Sequence, residues 1–130
     1  MPTPPKVLTD VGYEIYCDVK KLWKLDVPVV DFPVADLIWN FDLPFWNLDG
    51  TRDWNLSPRA VIQNVFGSSG HRKRVEAVDL QFPILITKRQ GRWLIIDGVH
   101  RLVKAHEQGW STIQAKVVGE EDIARFPSEE

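Results

Sequence analysis

The sequence predicts a small α+β domain, and three observations support this fold class. Short apolar runs rich in β-branched residues recur along the chain and indicate strands. Two segments have the start signals and apolar spacing of helices, one after a Ser-Pro-Arg sequence and one directly after a strand. Of the 130 residues, 44% are hydrophobic and 26% are charged, as is usual for a globular protein. We therefore expect a single domain over residues 1–130, with loose ends at 1–10 and 126–130.

In the first third of the chain, the pattern predicts two strands and a short helical turn. Apolar and polar residues alternate over residues 13–19, as in a strand with one covered face. Cys17, the one cysteine of the sequence, lies in this run, and we interpret it as a small buried hydrophobic residue. A single cysteine cannot form an internal disulfide, so we expect a reducing compartment. Residues 27–32 predict a second strand, and residues 33–37 predict the first turn of a short helix.

The middle of the chain combines an irregular stretch with two helices. Residues 41–56 predict a long loop, and loops of this length in a compact domain usually have a function. Ser57 before Pro58 predicts a helix that runs to about residue 64, and a second helix is predicted over residues 71–80. The second helix begins with the basic run 71–74, which we interpret as a solvated helix face.

Three of the six tryptophans, Trp39, Trp46 and Trp54, lie in or beside this loop. We interpret them as core residues and a loop lid, because tryptophan buries a large area. An aromatic substrate pocket or an interface is the alternative.

The last third of the chain predicts a regular succession of strands around one helix. Gly109 fits the end of this helix, where a positive φ is needed. The predicted elements are strands at 83–88, 93–96 and 113–118, a hairpin turn at 89–92 and a helix at 100–108.

The segment Asp97-Gly98-Val99-His100-Arg101 follows a predicted buried strand and opens a predicted helix. The first N–H groups of a helix have no partner within the helix, and the helix dipole adds about half a positive charge there. Gly98 lets a ligand come close to the backbone, while His100 and Arg101 supply side-chain donors. The sequence thus predicts an anion site at Gly98, Val99, His100 and Arg101, with Asp97 placed to bind Mg²⁺ or to accept a proton. A plain strand-to-helix turn is the alternative.

Residues 83–118 resemble the ParB/sulfiredoxin superfamily, whose pattern is strand, turn, strand, Gly-x-His-Arg, helix, Gly and strand. Upstream, residues 27–37 are similar to the opening strand and turn of the superfamily. Ser57-Pro58-Arg59 is similar to the Pro-Arg element at the start of its first long helix. The resemblance implies a small mixed β-sheet flanked by helices, and it implies that the turn at residues 98–101 holds the phosphates of a nucleotide.

Members of this superfamily differ at the turn. Sulfiredoxins have a catalytic cysteine between the glycine and the histidine, where this sequence has Val99, so sulfiredoxin chemistry is not expected. Partition ParB proteins usually have Gly-Glu-Arg-Arg and continue into a DNA-binding domain, which this sequence lacks, so partition is not expected either. Free serine kinases have a closely similar Asp-Gly-x-His-Arg turn and use a carboxylate after the opening strand and turn as base. The nearest carboxylate here is Asp42, and in motif the sequence is nearest to this kinase type.

The first function that follows is an ATP-dependent phosphotransferase, a kinase that acts on the hydroxyl of a small molecule, with a nucleotide and Mg²⁺ as cofactors. The turn and Arg59 would hold the phosphates, and Asp97 and His100 would take part in catalysis. Asp42 or Asp49 would be the general base. For these loop carboxylates, turn capping and loop solubility are the alternative interpretation.

Two other functions stay open. One is a non-enzymatic module in which nucleotide binding shifts a conformation that a partner reads. The other is a metal-dependent nuclease that uses Asp97 and His100. The net charge of −2 argues against it, because proteins that bind nucleic acids usually have a basic surplus. The sequence has no signal peptide and no apolar run long enough to span a membrane, so we expect a cytoplasmic protein. Residues 13–19 could pair within the sheet or across a homodimer.

Overall fold

The computed structural model describes residues 5–13 and 18–126. Two short 3₁₀ helices, Val34–Asp36 and Ile38–Asp42, follow the first strand. The strands are β1 (Val29–Pro33), β2 (Ile84–Arg89), β3 (Arg92–Asp97) and β4 (Thr112–Val117). The α-helices are α1 (Lys6–Thr9), α2 (Val19–Trp23), α3 (Pro58–Ile62), α4 (Ser69–Ala77), α5 (Val99–Glu107) and α6 (Glu120–Arg125).

The four strands form one mixed sheet in the order β1-β4-β2-β3. β1 pairs antiparallel with β4, β4 pairs parallel with β2, and β2 and β3 form an antiparallel hairpin. The hairpin turns at Gln90 and Gly91, which both have positive φ, as a tight two-residue turn requires. The predicted fold class, an α+β fold with a small mixed sheet flanked by helices, is confirmed.

Different helices cover the two faces of the sheet. On one face the apolar side of α5, which includes Leu102, packs against Ile84 of β2 and Ile113 of β4. On the other face Leu22 of α2 and Ile123 of α6 belong to a second buried cluster with residues of β2. Because β2 is packed on both faces, it fixes the position of the neighbouring end of β3 and of the start of α5.

Asn40 closes the free edge of β3. Its side chain is completely buried, with Oδ1 accepting a hydrogen bond from the N–H of Ile95 at 3.3 Å and Nδ2 donating to the carbonyl of Trp93 at 3.1 Å. The amide group therefore makes the two bonds that a neighbouring strand would make. The indole of Trp39 donates to the same carbonyl at 3.0 Å, so the second 3₁₀ helix covers this edge of the sheet.

The structure corrects the prediction for the N-terminal residues. Residues 14–17, which include the cysteine, lie outside the described residues. Val19, at the end of the predicted strand, instead begins α2, because the side chain of Asp18 accepts hydrogen bonds from two N–H groups of that helix. The predicted loose end at 1–10 is wrong for residues 5–10, where α1 buries Leu8 completely.

Other elements differ from the prediction at their ends. The helix predicted over 71–80 ends at Ala77, where Lys104 donates to the carbonyls of Glu76 and Val78. The predicted loop 41–56 begins inside a 3₁₀ helix and is closed by an isolated bridge between Trp46 and Leu56. Residue 126 is not loose, because its carbonyl accepts a hydrogen bond from the N–H of Asp18. Within the described ranges, no helix is long and apolar enough to cross a membrane.

Candidate functional site

Gly98 forms the turn between β3 and α5 in a left-handed conformation, with φ +103° and ψ 21°. A Cβ atom at this position would lie 2.6 Å from Cγ2 of Ile84. The backbone conformation and the close packing on β2 therefore both require glycine at this position, whether or not a ligand binds.

The N-terminus of α5 has unpaired amides. No side chain of the described residues caps this end, and the first helical bond joins the N–H of Leu102 to the carbonyl of Gly98. The N–H groups of Val99, His100 and Arg101 come before that bond and donate to no acceptor within residues 5–13 and 18–126. These three amides are therefore available to the acceptor atoms of a ligand.

A cavity of about 230 Å³, which we name the α5 cavity, lies at this turn. Its volume is below the roughly 300–1,000 Å³ of typical small-molecule sites, so it fits a phosphate group or part of a larger ligand. Two larger depressions, of about 460 and 560 Å³, lie elsewhere and include no residue of the turn. The α5 cavity is lined by Tyr13, Phe45, Trp46, Arg74, Ile95, Ile96, Asp97, Gly98, Val99 and His100.

His100 forms a pair with His71 on the face of a tryptophan. Nε2 of His100 lies 3.0 Å from Nδ1 of His71, and the two rings are nearly coplanar, with an angle of 10° between them. Both rings stack on the indole of Trp46, with centroid distances of 4.2 Å for His100 and 4.5 Å for His71. The indole thus fixes the orientation of both imidazoles at the cavity.

Both histidines of this pair are held in the neutral form. Burial lowers the pKa of His100 to about 3, and Arg74, the neighbouring His71 and Arg101 act in the same direction. Burial and Arg74 also lower the pKa of His71, against the smaller opposing effects of Asp49 and of the Asn47 backbone. At neutral pH, His100 therefore brings hydrogen-bonding capacity to the cavity but no positive charge.

The contact between the two imidazoles is a hydrogen bond in which one ring nitrogen donates and the other accepts. One proton therefore lies between Nε2 of His100 and Nδ1 of His71.

Asp97 ends β3 at the wall of the α5 cavity. Its Oδ2 accepts a hydrogen bond from the indole of Trp23 at 2.8 Å, which fixes the orientation of the carboxylate. A carboxylate has about four acceptor positions, so this bond leaves capacity for a ligand or a metal ion.

The cation at the cavity is Arg74, and Arg101 lies to one side. Arg74 lines the cavity and is one of the charges that lower the pKa of His100. The guanidinium of Arg101 lies 5.6 Å from the ring centroid of Trp23 and donates from Nε to the carbonyl of Asp79 at 3.2 Å. The structure therefore brings Gly98, Val99, His100 and Asp97 together but places the side chain of Arg101 outside the cavity lining.

The predicted loop carboxylates do not line the cavity. Asp42 forms an ion pair with Arg59, the other predicted phosphate ligand from this part of the chain, and both side chains are largely exposed. Asp49 accepts hydrogen bonds from the hydroxyl of Ser69 and the N–H of Gly70, so it caps the start of α4. The capping interpretation fits Asp49, while Asp42 is paired with Arg59 and does not line the cavity.

No family model matches this chain, and no curated protein matches it. Among solved structures, the chain is similar to a sulfiredoxin from Arabidopsis thaliana, with 16% sequence identity and a TM-score of 0.37. The alignment covers 75% of this chain and 94% of that chain. A similarity this low says nothing about ligand or activity.

Mg²⁺ fits this site only with help from a ligand. Within the described residues there is no group of three or more side chains that could hold a metal ion. Asp97 is the carboxylate of the α5 cavity, and proteins often hold Mg²⁺ through one carboxylate together with substrate phosphates and waters. Asp97 would be the one carboxylate ligand of such an ion, and this role is the alternative to a role of Asp97 as proton acceptor.

Reasoning from the sequence missed His71, Arg74 and Trp23 as site residues, and it named Trp46 only in the alternative of an aromatic substrate pocket. The basic run that contains His71 and Arg74 was noticed but interpreted as a solvated face. The signal that could have shown their position is the packing of α4 beside α5, where Arg72 makes a two-point ion pair with Glu107. His71, the residue before Arg72, contacts His100 of the same neighbouring helix.

Proposed function

We propose that this chain binds the phosphates of an ATP-type nucleotide at the α5 cavity and transfers a phosphoryl group to the hydroxyl of a small molecule. The observation that supports this most is that unpaired amides of α5, the cation of Arg74 and the carboxylate of Asp97 border one cavity. Positioning and neutralisation of charge are the main requirements of phosphoryl transfer. The resemblance of the turn to the phosphate-binding turn of the ParB/sulfiredoxin superfamily supports the same conclusion.

In this proposal the phosphate oxygens accept hydrogen bonds from the amides at the start of α5. Arg74 supplies the positive charge, since His100 is neutral at physiological pH. The small volume of the cavity fits the terminal phosphates, while the rest of the nucleotide extends outside it.

Asp97 is the proton acceptor in the proposed transfer. Its Oδ2 accepts a hydrogen bond from Trp23, and the residue lines the cavity, so its other acceptor positions are available to a ligand. The hydroxyl of the acceptor molecule gives its proton to Asp97 as its oxygen bonds to the terminal phosphorus. The bond between that phosphorus and the bridging oxygen breaks, and the nucleoside diphosphate leaves.

The test compares two carboxylate variants, Asp97→Asn and Asp42→Asn. Nucleotide binding is measured by calorimetric titration, and ADP formation is measured with ATP, Mg²⁺ and a mixture of hydroxyl-bearing metabolites. Asp97→Asn should keep nucleotide binding and lose about 10²- to 10⁴-fold in turnover. Asp42→Asn is the control and should keep turnover, because Asp42 pairs with Arg59 away from the cavity. The opposite result would assign the base to Asp42 and overturn this mechanism.

A binding module without turnover is the second candidate. The observation that favours it is the ion pair between Asp42 and Arg59, which occupies the carboxylate that the kinase resemblance assigns as base. This candidate predicts that the wild-type protein binds ATP in the same titration and forms no ADP with any acceptor in the mixture.

A further inference from the structure

A cluster of two aromatic rings and one cation borders the α5 N-terminus on the side away from His100. It consists of Trp23, Arg101 and Phe82, and we name it the aromatic rim. The guanidinium of Arg101 lies 5.6 Å from the ring centroid of Trp23 and 5.8 Å from that of Phe82. One cation is therefore shared between two rings, an arrangement that keeps all three side chains in place.

The strand pairing places this rim next to the phosphate site. Leu85 of β2 is opposite Asp97 of β3, and Phe82 comes three residues before Leu85, so the chain at Phe82 lies beside the start of α5. On the other side, the indole of Trp23 bonds directly to Asp97 at the cavity wall. The aromatic rim is therefore adjacent to the α5 cavity.

The rim has unused capacity to bind. Phe82 is 58% exposed although it is a large apolar side chain. Arg101 uses Nε for its bond to the carbonyl of Asp79, and its two terminal amino groups donate to no acceptor within the described ranges. An exposed ring beside a guanidinium with free donors is a surface on which a planar, polar ring can stack.

We propose that the aromatic rim binds the base of the nucleotide whose phosphates lie at the α5 cavity. This inference rests on the proposed function. The cavity holds only about 230 Å³, so the base must lie outside it, and the rim is an aromatic surface outside the cavity lining that adjoins the carboxylate of Asp97. The base stacks on Phe82 and Arg101, and the terminal amino groups of Arg101 donate to the base or to the first phosphate.

The experiment separates the base from the phosphates. Binding of ATP and of inorganic tripolyphosphate, each with Mg²⁺, is measured by calorimetric titration for the wild type and for Phe82→Ala. The variant should bind ATP about tenfold more weakly, a loss of about 1.4 kcal/mol, because it removes the ring on which the base stacks. Its affinity for tripolyphosphate should stay within about twofold of the wild type, because tripolyphosphate has no base to stack.

Two further variants provide the controls. Phe66→Ala removes an equally apolar ring that is 100% exposed in the loop before α4, and it should leave both affinities unchanged. Phe82→Trp keeps an aromatic face and should bind ATP at least as well as the wild type. Melting temperatures of the variants check that each remains folded.

The outcomes are distinct. If Phe82→Ala binds ATP as tightly as the wild type, or loses affinity for ATP and tripolyphosphate equally, the rim does not bind the base and this inference fails while the phosphate site stands. If Phe82→Trp loses as much ATP affinity as Phe82→Ala, stacking is also excluded. If the wild type binds neither ATP nor tripolyphosphate, the proposed function fails, and this inference fails with it.

Discussion

Gly98 combines a φ of +103° with a neighbour that leaves no space for a side chain, since a Cβ would lie 2.6 Å from Cγ2 of Ile84. We expect Gly98→Ala to lower the free energy of unfolding by about 2–5 kcal/mol, as the sum of backbone strain and overpacking. The measurement is chemical denaturation, with the slope checked for two-state behaviour.

Gly109 is the matched control for Gly98. It has a φ of +79° at the end of α5, with nothing within 4 Å of a Cβ built there. Gly109→Ala should therefore lose only the backbone part, about 1–3 kcal/mol, and the difference between the two variants gives the cost of the contact with Ile84. Equal losses in both variants would show that Ile84 moves aside without cost.

His100 makes the stability of the protein depend on pH. Its pKa is lowered from the usual 6.5 to about 3, so between these values the unfolded chain binds a proton that the folded protein excludes. The stability is fully present above pH 6.5 and is lost progressively as the pH falls toward 3. Denaturation curves between pH 7.5 and pH 4 should show this decrease, and His100→Gln, which has no titrating ring, should show a smaller decrease. An unchanged dependence in the variant would contradict the buried, neutral state of His100.

At the scale of elements, Asn40 is the side chain that joins the second 3₁₀ helix to β3. Asn40→Ala leaves the N–H of Ile95 without its buried partner, while the carbonyl of Trp93 keeps the hydrogen bond from Trp39. A buried group without a partner costs about 1–3 kcal/mol, and we expect a loss of this size in chemical denaturation. Asn55 is the control, because its side chain accepts bonds from the N–H of Leu48 and the hydroxyl of Thr51 at an exposed site, and Asn55→Ala should lose about 1 kcal/mol or less. A loss of similar size in both variants would show that the edge of β3 does not depend on Asn40.

The elements that the sequence predicts best are those with local signals. Gly91, Gly98 and Gly109 mark the hairpin turn, the start of α5 and its end, and all three have positive φ in the structure. The interval from β2 to β4 contains these signals, so its order of elements is predicted correctly. The strand predicted at residues 18–19 is wrong, because the alternation of apolar and polar residues was given more weight than Asp18, which caps a helix.

The parts of the site that the sequence does not predict depend on distant contacts. Arg74 lies at the cavity and Arg101 does not, although Arg101 is next to His100 in sequence. Side chains at neighbouring positions of a helix point about 100° apart, so adjacency in the motif does not put two donors on one ligand. Asn40 is similar, because its partners on β3 come more than fifty residues later in the chain.

For the whole molecule, binding of a nucleotide should raise the melting temperature. At an ATP concentration of about 100 times Kd, the folded state gains about 2.7 kcal/mol, which for a chain of 130 residues corresponds to about 10 °C. Arg74→Ala should reduce this gain to about 1 kcal/mol or less at the same ATP concentration, because a hydrogen bond to a charged group contributes about 1.5–3 kcal/mol. Arg59→Ala removes an arginine that pairs with Asp42 outside the cavity lining, so it should keep the full shift. The measurement is differential scanning fluorimetry with ATP and Mg²⁺. A shift that survives in Arg74→Ala and disappears in Arg59→Ala would move the phosphate site from the α5 cavity to the start of α3.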